Sequence, residues 1–177
     1  MAEEQRTYLR IPTNLRGRLR LLSTGTELPL FREAPIANLS VSAHELKSSG
    51  LSEALVNTLM AMDRKLDLII GIHAQDSLQA DFPCPVDAVE ISGAGVKVAS
   101  AEPLHLKTGQ HVEVVLTLTQ LPVRMAGAIA QVVREEEVDG RTIWALDFTK
   151  IRDRDLETIV QFVFQTQRDE LRLKKWE

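Results

Sequence analysis

Five arginines, Arg6, Arg10, Arg16, Arg18 and Arg20, fall in one short N-terminal stretch with no acidic residue between them. A guanidinium is permanently charged and presents a planar fork of donors. It can therefore grip a phosphate in a bidentate way, read the O6/N7 edge of a guanine or stack on a base. The chain as a whole carries a formal net charge of -4, whereas proteins that bind nucleic-acid polymers rest on an excess of Lys and Arg. What these residues offer is a local anion site on an acidic protein, with no nucleic-acid polymer as partner.

Other chemistries lack their usual handles. Cys84 is the only cysteine, and His44, His73, His105 and His111 are scattered, so neither a Cys pair nor a His-Glu-x-x-His helix face is available to hold a metal. Ser92 sits in Ile91-Ser92-Gly93-Ala94-Gly95, which is not the Gly-x-Ser-x-Gly elbow of a nucleophilic serine. No Gly-rich phosphate loop or dinucleotide fingerprint occurs. Glu135, Glu136 and Glu137 precede an Asp-Gly pair and read as a solvated turn. The expectation is a protein that is not an enzyme, with no catalytic residues, no metal site and no cofactor.

The elements that must position the arginines follow from periodicity. Leu15 to Leu22 alternates apolar and charged residues, the pattern of a half-buried strand with arginines on its wet face. Ser23 to Ala43, with Pro29, Pro35 and Gly25, reads as irregular connection. In residues 51–73, Leu55, Leu59, Met62, Leu66 and Ile69 recur at steps of four and three, which predicts a helix capped by Ser49 or Ser52. Val86–Val98, Val112–Thr119, Met125–Arg134 and Arg141–Phe148 are rich in Val, Ile and Thr and read as strands of a small antiparallel barrel or sandwich. Asp139-Gly140 marks a two-residue hairpin turn, because a type I′ turn needs positive φ at both positions. A last amphipathic helix is predicted over about residues 153–175, with Lys174 and Lys175 near its C-terminal end.

Two of these features, taken in order, resemble a known family. Arg6-Thr7-Tyr8-Leu9-Arg10 is similar to the Arg-x-x-x-Arg motif that opens PilZ domains, and Glu90-Ile91-Ser92-Gly93-Ala94-Gly95 is similar to their Asp/Asn-x-Ser-x-x-Gly motif. Gly127 in the middle of the strand region and the helix through Ile159 to Arg168 resemble the second half of such domains, so that the likeness covers about residues 6–34 and 84–172. It implies a six-stranded antiparallel barrel with a C-terminal helix. It also implies a cyclic di-GMP site made by Arg6 and Arg10 on an N-terminal arm with Glu90, Ser92 and Gly95 on the turn. Two departures bear on that site: Glu90 is a methylene longer than the family's Asp, and Thr7 stands where many members carry a further Arg. Asn38-Leu39-Ser40 also fits the start of the second motif, but leads to Ala43 where the motif has Gly.

About residues 35–85 form an insertion relative to the family pattern, in what is otherwise a single domain over residues 1–177. Placing Leu59 and Leu66 at heptad position a and Leu55, Met62 and Ile69 at d gives a seam of period 3.5, with Asp63 and Lys65 beside it. Met60, Leu68, Ile70 and Ile72 lie off that seam, so the helix must bury more than one stripe. The expected interface is Leu55, Leu59, Met62, Leu66 and Ile69 in a homo-oligomer, dimer or tetramer; the alternative is a helix that lies on its own barrel.

At 177 residues with 44% hydrophobic and 26% charged residues, the composition is that of an ordinary globular protein. The charged start, the short apolar runs and the single cysteine point to the cytoplasm and away from membrane insertion. The functional expectation is a non-enzymatic PilZ-type adaptor of cyclic di-GMP pathways with a degraded nucleotide site, contacting other signalling, motility or pilus proteins. Its alternative is a competent receptor using Arg6, Arg10 and Ser92.

Overall fold

The computed structural model describes residues 8–32, 42–120 and 122–173. Six strands, β1 (Arg10–Leu21), β2 (Cys84–Ser92), β3 (Gly95–Ala99), β4 (His111–Gln120), β5 (Val123–Val138) and β6 (Arg141–Ile151), are all paired antiparallel. They close into a barrel of order β1-β2-β3-β6-β5-β4. Three helices, α1 (Ala43–Ser48), α2 (Glu53–Asp81) and α3 (Asp153–Leu173), complete the described chain.

Alternation makes the barrel. In β1, Ile11 and Leu19 point into the core while Arg16 stays exposed, as a strand with one wet face requires. The strand begins earlier than its alternation predicts: Arg10 and Ile11 pair with Ser92 and Ile91 of β2, and the register shifts between Pro12 and Leu15. A bulge of that kind hides period-2 alternation from the sequence. The extended segment expected over Val86–Val98 is two strands, β2 and β3, folded back at Gly93 and Ala94. The β5–β6 turn is as predicted, with φ of 50° at Asp139 and 73° at Gly140.

The inner core gathers Leu19, Ile91, Val98, Leu116, Ala130 and Leu146 with Ile159 and Val163 of α3. β4 is buried on both faces, because a second apolar layer lies outside it. There Phe31, Leu78, Phe82, Val115 and Met125 pack together. Phe31 lies against Gly127, where a Cβ would collide with its ring, and the Arg152 guanidinium stacks 5.7 Å above the same ring. Asp155, almost fully buried at the start of α3, accepts from the Gly127 amide at 3.3 Å and from Arg152 Nε at 2.6 Å. That joins the helix to the sheet at one point.

α2 runs past the predicted 51–73 to Asp81. Ser52 caps its start, its side chain accepting from the Leu55 amide, as one of the two predicted caps. Beyond residue 73 the sequence turns polar, and the extension is held by long-range contacts: Gly71 close against Val123, and Leu78 and Phe82 in the outer layer. Arg18 closes the end, donating from Nε to the Phe82 carbonyl at 2.6 Å and from Nη2 to that of Pro83 at 3.1 Å, which satisfies carbonyls a helix end leaves free. α1 falls at the edge of a stretch read as irregular. It is fixed by a capping box in which Ser42 and Glu45 bond reciprocally.

Arg20 also differs from its sequence reading. It is not a wet-face cation but the cross-strand partner of Glu113, whose side chain is 1% exposed. Glu113 accepts from Arg20 at 2.7 Å and from the amides of Leu30 and Phe31 at 3.0 and 2.9 Å. One buried carboxylate thus pins the segment that carries Phe31. Two of the five N-terminal arginines are used to build the fold.

Candidate functional site

The β2–β3 turn is a local construction. Ser92 is buried, and its hydroxyl accepts from the amides of Ala94 and Gly95 at 3.2 Å each while donating to the Gly95 carbonyl at 3.3 Å. The side chain is thereby committed to holding the hairpin. Gly95 is needed for close approach: a Cβ there would run into the Leu146 carbonyl oxygen of β6. Gly93 is the seat of Tyr8, whose ring lies where a Cβ of residue 93 would go.

This turn borders a cavity of about 990 Å³ on the outer surface of β2, β3, β6 and β5. Four of the five residues predicted for the site, Arg10, Glu90, Ser92 and Gly95, line it together. Arg6 lies outside the described residues. Arg10 is the first residue of β1, not part of a free arm. The sequence reading missed Lys97, Arg134 and Asp147, which also line the cavity. Lys97 was within reach of it, as the hairpin partner of Glu90. Arg134 and Asp147 required the strand order β3-β6-β5, which no local signal contains.

The charges of this cavity are matched by carboxylates. Arg10 Nη1 lies 3.8 Å from Glu90 Oε1, Lys97 Nζ lies 3.4 Å from Glu136 Oε2, and Arg134 Nε donates to Glu136 Oε1. Glu136, expected in a solvated turn, is instead half-buried between two cations. With Asp147 included, three cations face three carboxylates. Exposed pairs of this kind are worth about 0–1 kcal/mol each, so displacing Arg10 from Glu90 weakens an incoming phosphate by roughly fivefold at most. The larger obstacle is that the described charged residues of the cavity sum to zero, which leaves a doubly charged phosphate ligand little attraction from them.

The hydrogen bond from Arg134 holds the Glu136 carboxyl below the usual glutamate range, and the Lys97 charge adds to this. A depressed folded pKa means that the contact is intact above the unfolded value and lost as pH falls through the folded one. A carboxyl-detected NMR titration is therefore expected to give Glu136 a midpoint below that of a free glutamate, returning upward in Arg134→Ala. An unchanged midpoint in the variant would remove this pairing from the account. The same sign means that protonation of Glu136 under acid conditions weakens its hold on Arg134 and Lys97.

α2 presents a different surface. Its half-buried or buried stripe is Val56, Met60, Asp63, Asp67, Gly71, Ala74 and Leu78, the side turned to the rest of the protein. The predicted seam lies on the other side and is open: Leu55, Leu59, Met62, Leu66 and Ile69 are 37–62% exposed. Leu68, Ile70 and Ile72 are exposed beside it. Asp63, expected to flank the seam, belongs to the inward stripe. No helix among the described residues is long and apolar enough to cross a membrane.

Residues 64–165 match the family model of the PilZ domain. The match runs from the middle of α2 into α3 and leaves out β1, although β1 closes the barrel between β2 and β4. Among solved structures, the chain is similar to a tetrameric PilZ domain protein of Xanthomonas campestris described as self-assembled through an unusual helical bundle. The identity is 18%, the TM-score 0.55, and 94% of this chain and 92% of that one are covered. It is also similar to the inhibitor of motility MotI/DgrA of Bacillus subtilis, with 12% identity, a TM-score of 0.54 and 94% of this chain covered. The likeness spans about half (52%) of the MotI chain. At these identities the two structures speak for the fold. No curated protein sequence matches the chain.

Proposed function

The chain belongs to the PilZ domain family, and on that premise we propose that it is a non-catalytic adaptor of cyclic di-GMP signalling that assembles with copies of itself through α2. PilZ domains are in general non-catalytic binders of cyclic di-GMP. In this reading the nucleotide site is degraded, and output runs through contacts with signalling, motility or pilus proteins.

The observation that carries the reading is the uncovered apolar seam of α2. A half-exposed large side chain still has about 1 kcal/mol to gain from burial, so the five seam residues offer roughly 5 kcal/mol per chain and the eight exposed apolar residues roughly 8. Association costs about 4–15 kcal/mol, against which two such seams meeting in a dimer supply roughly 10. A bundle of more than two helices buries the second stripe as well. The tetrameric Xanthomonas relative, similar over nearly its whole length, favours a tetramer over a dimer.

The degraded site is supported by the matched charges of the cavity, by the longer Glu90 and by the committed Ser92 hydroxyl. The competent-receptor reading draws on one observation of its own: Tyr8 on Gly93 and Arg10 beside Glu90 hold the start of β1 at the turn. A calorimetric titration with cyclic di-GMP at two salt concentrations, beside Arg10→Ala, separates them. The degraded site predicts a near-flat trace for both proteins at neutral pH. Saturable, salt-sensitive binding that Arg10→Ala abolishes would establish the receptor instead.

A further inference from the structure

The barrel covers only part of β5. Its pairing with β4 ends where Gln131 meets His111. Two further bonds close the cover on that side: the Gly109 amide donates to the Val132 carbonyl at 2.7 Å, and the Val132 amide to the Gln110 carbonyl at 2.9 Å. Pairing with β6 continues to Val138, so residues 133–138 form a ribbon with one strand neighbour. Among the described residues, no further backbone bond reaches them from outside β6. The turn fixes which groups this edge offers. A β-turn joins the carbonyl of its first residue to the amide of its fourth, here Val138 and Arg141 on either side of Asp139-Gly140. Antiparallel alternation then turns the amide and carbonyl of Glu137, and those of Glu135, away from β6.

The same two glutamates share one face of the ribbon, because side chains alternate along a strand. Both are exposed. Glu136, on the other face, is held by Lys97 and Arg134, whereas no ion pair among the described residues engages Glu135 or Glu137. An uncovered edge is a template for an added strand, and the charges on it decide which strand. A second copy pairing edge to edge would set glutamate against glutamate, and like charges directly opposite are destabilising. A basic strand would gain two ion pairs at the two residues whose backbone it bonds. We propose that the 133–138 edge of β5 docks an extended basic segment of a partner protein, added antiparallel, with Lys or Arg at alternate positions facing Glu135 and Glu137. The proposal rests on the adaptor reading, for which it supplies the partner contact, but it makes no use of α2.

The probe is an end-capped octapeptide of alternating lysine and valine, titrated into the isotope-labelled full chain and followed by amide shifts and hydrogen exchange. The expected result is saturable binding, with the largest shifts and new exchange protection at the Glu135 and Glu137 amides. N-methylation of the lysines blocks the amides that face β5 and should weaken binding about tenfold or more. N-methylation of the valines, whose amides face away, should leave it unchanged. Glu135→Lys combined with Glu137→Lys should weaken the basic peptide about tenfold and turn the preference to its glutamate–valine counterpart. Three results would overturn the proposal. They are no saturable binding; equal binding of the lysine-methylated peptide, which reduces the contact to charge alone; or protection of the two amides already present in the free chain and lost on dilution, which gives the edge to a second copy. Light scattering on the same samples reads the α2 assembly separately. A chain that assembles without binding the peptide loses this proposal alone, and a monomeric chain that binds it keeps the edge and loses the assembly.

Discussion

Replacing Leu59 and Leu66 together by Glu is expected to turn the assembly proposed for α2 into monomers without unfolding the barrel. Both residues sit at the a positions of the exposed seam, and neither belongs to either hydrophobic core, so the folded monomer loses little. In a bundle each substitution would place a carboxylate among apolar side chains and beside its own copies. The cost is about 3 kcal/mol or more per interface, roughly a hundredfold in association. Light scattering coupled to size exclusion reads the mass, and far-UV circular dichroism checks the fold. A native chain that is monomeric at every attainable concentration, or a double variant that keeps the native mass with its melting curve unchanged, would sink the assembly. Asn57→Glu, on an exposed position of the same helix outside the seam, is the control for added charge alone.

The parts of this arrangement that were legible in the sequence are the local ones. The Asp139-Gly140 turn, the alternation of β1 after its bulge and the seam of α2 are each set by residues within a few positions of one another. Sequence periodicity carries that information directly. The turn of the candidate site was legible for the same reason, since Glu90, Ser92 and Gly95 lie on a single hairpin. What was not legible depends on strand order. Arg18 and Arg20 look alike in sequence, yet pairing with β4 puts one against a buried carboxylate and the docking of α2 gives the other a helix end to cap. The last turns of α2 have no apolar repeat of their own and persist because Leu78 and Phe82 are buried in the outer layer. The capping box at Ser42 and Glu45 is an exception: its signature stood in the sequence, inside a stretch read by its prolines.

Closing the barrel also changes what the arginine-rich N-terminal stretch means. Arg18 and Arg20 are spent on structure and Arg10 is paired with Glu90, so among the described arginines of that stretch only Arg16 stays exposed on the wet face. The second layer, in which Phe31, Leu78, Phe82, Val115 and Met125 meet, ties α2 to the same strands that carry the inner core. The docking of α2 rests on that layer and on the Arg18 cap at its end, and the Glu113 cluster holds in place the segment that brings Phe31 to it.

Arg20→Ala is accordingly expected to be the most destabilising single substitution of a charged residue in this chain. It leaves Glu113, 1% exposed, with only the Leu30 and Phe31 amides as donors, and it removes the guanidinium that lies 5.9 Å from the Phe82 ring centroid. Breaking a buried ion pair from one side costs about 3–5 kcal/mol, and in a chain of this size each kcal/mol lowers the midpoint by about 2–4 °C. A drop of roughly 6–20 °C is therefore expected at fixed protein concentration. Arg20→Lys keeps the charge but not the fork, and should fall between the two. Arg20→Ala combined with Glu113→Gln removes the unpaired charge and should recover part of the loss, so the two substitutions are strongly non-additive. Hydrogen exchange at the Leu30 and Phe31 amides supplies the local readout, because these amides lose protection before the inner strands if the carboxylate is what holds them. A midpoint within the scatter of the native protein, or full additivity of the two substitutions, would show that Phe31 is held by its packing on Gly127 alone.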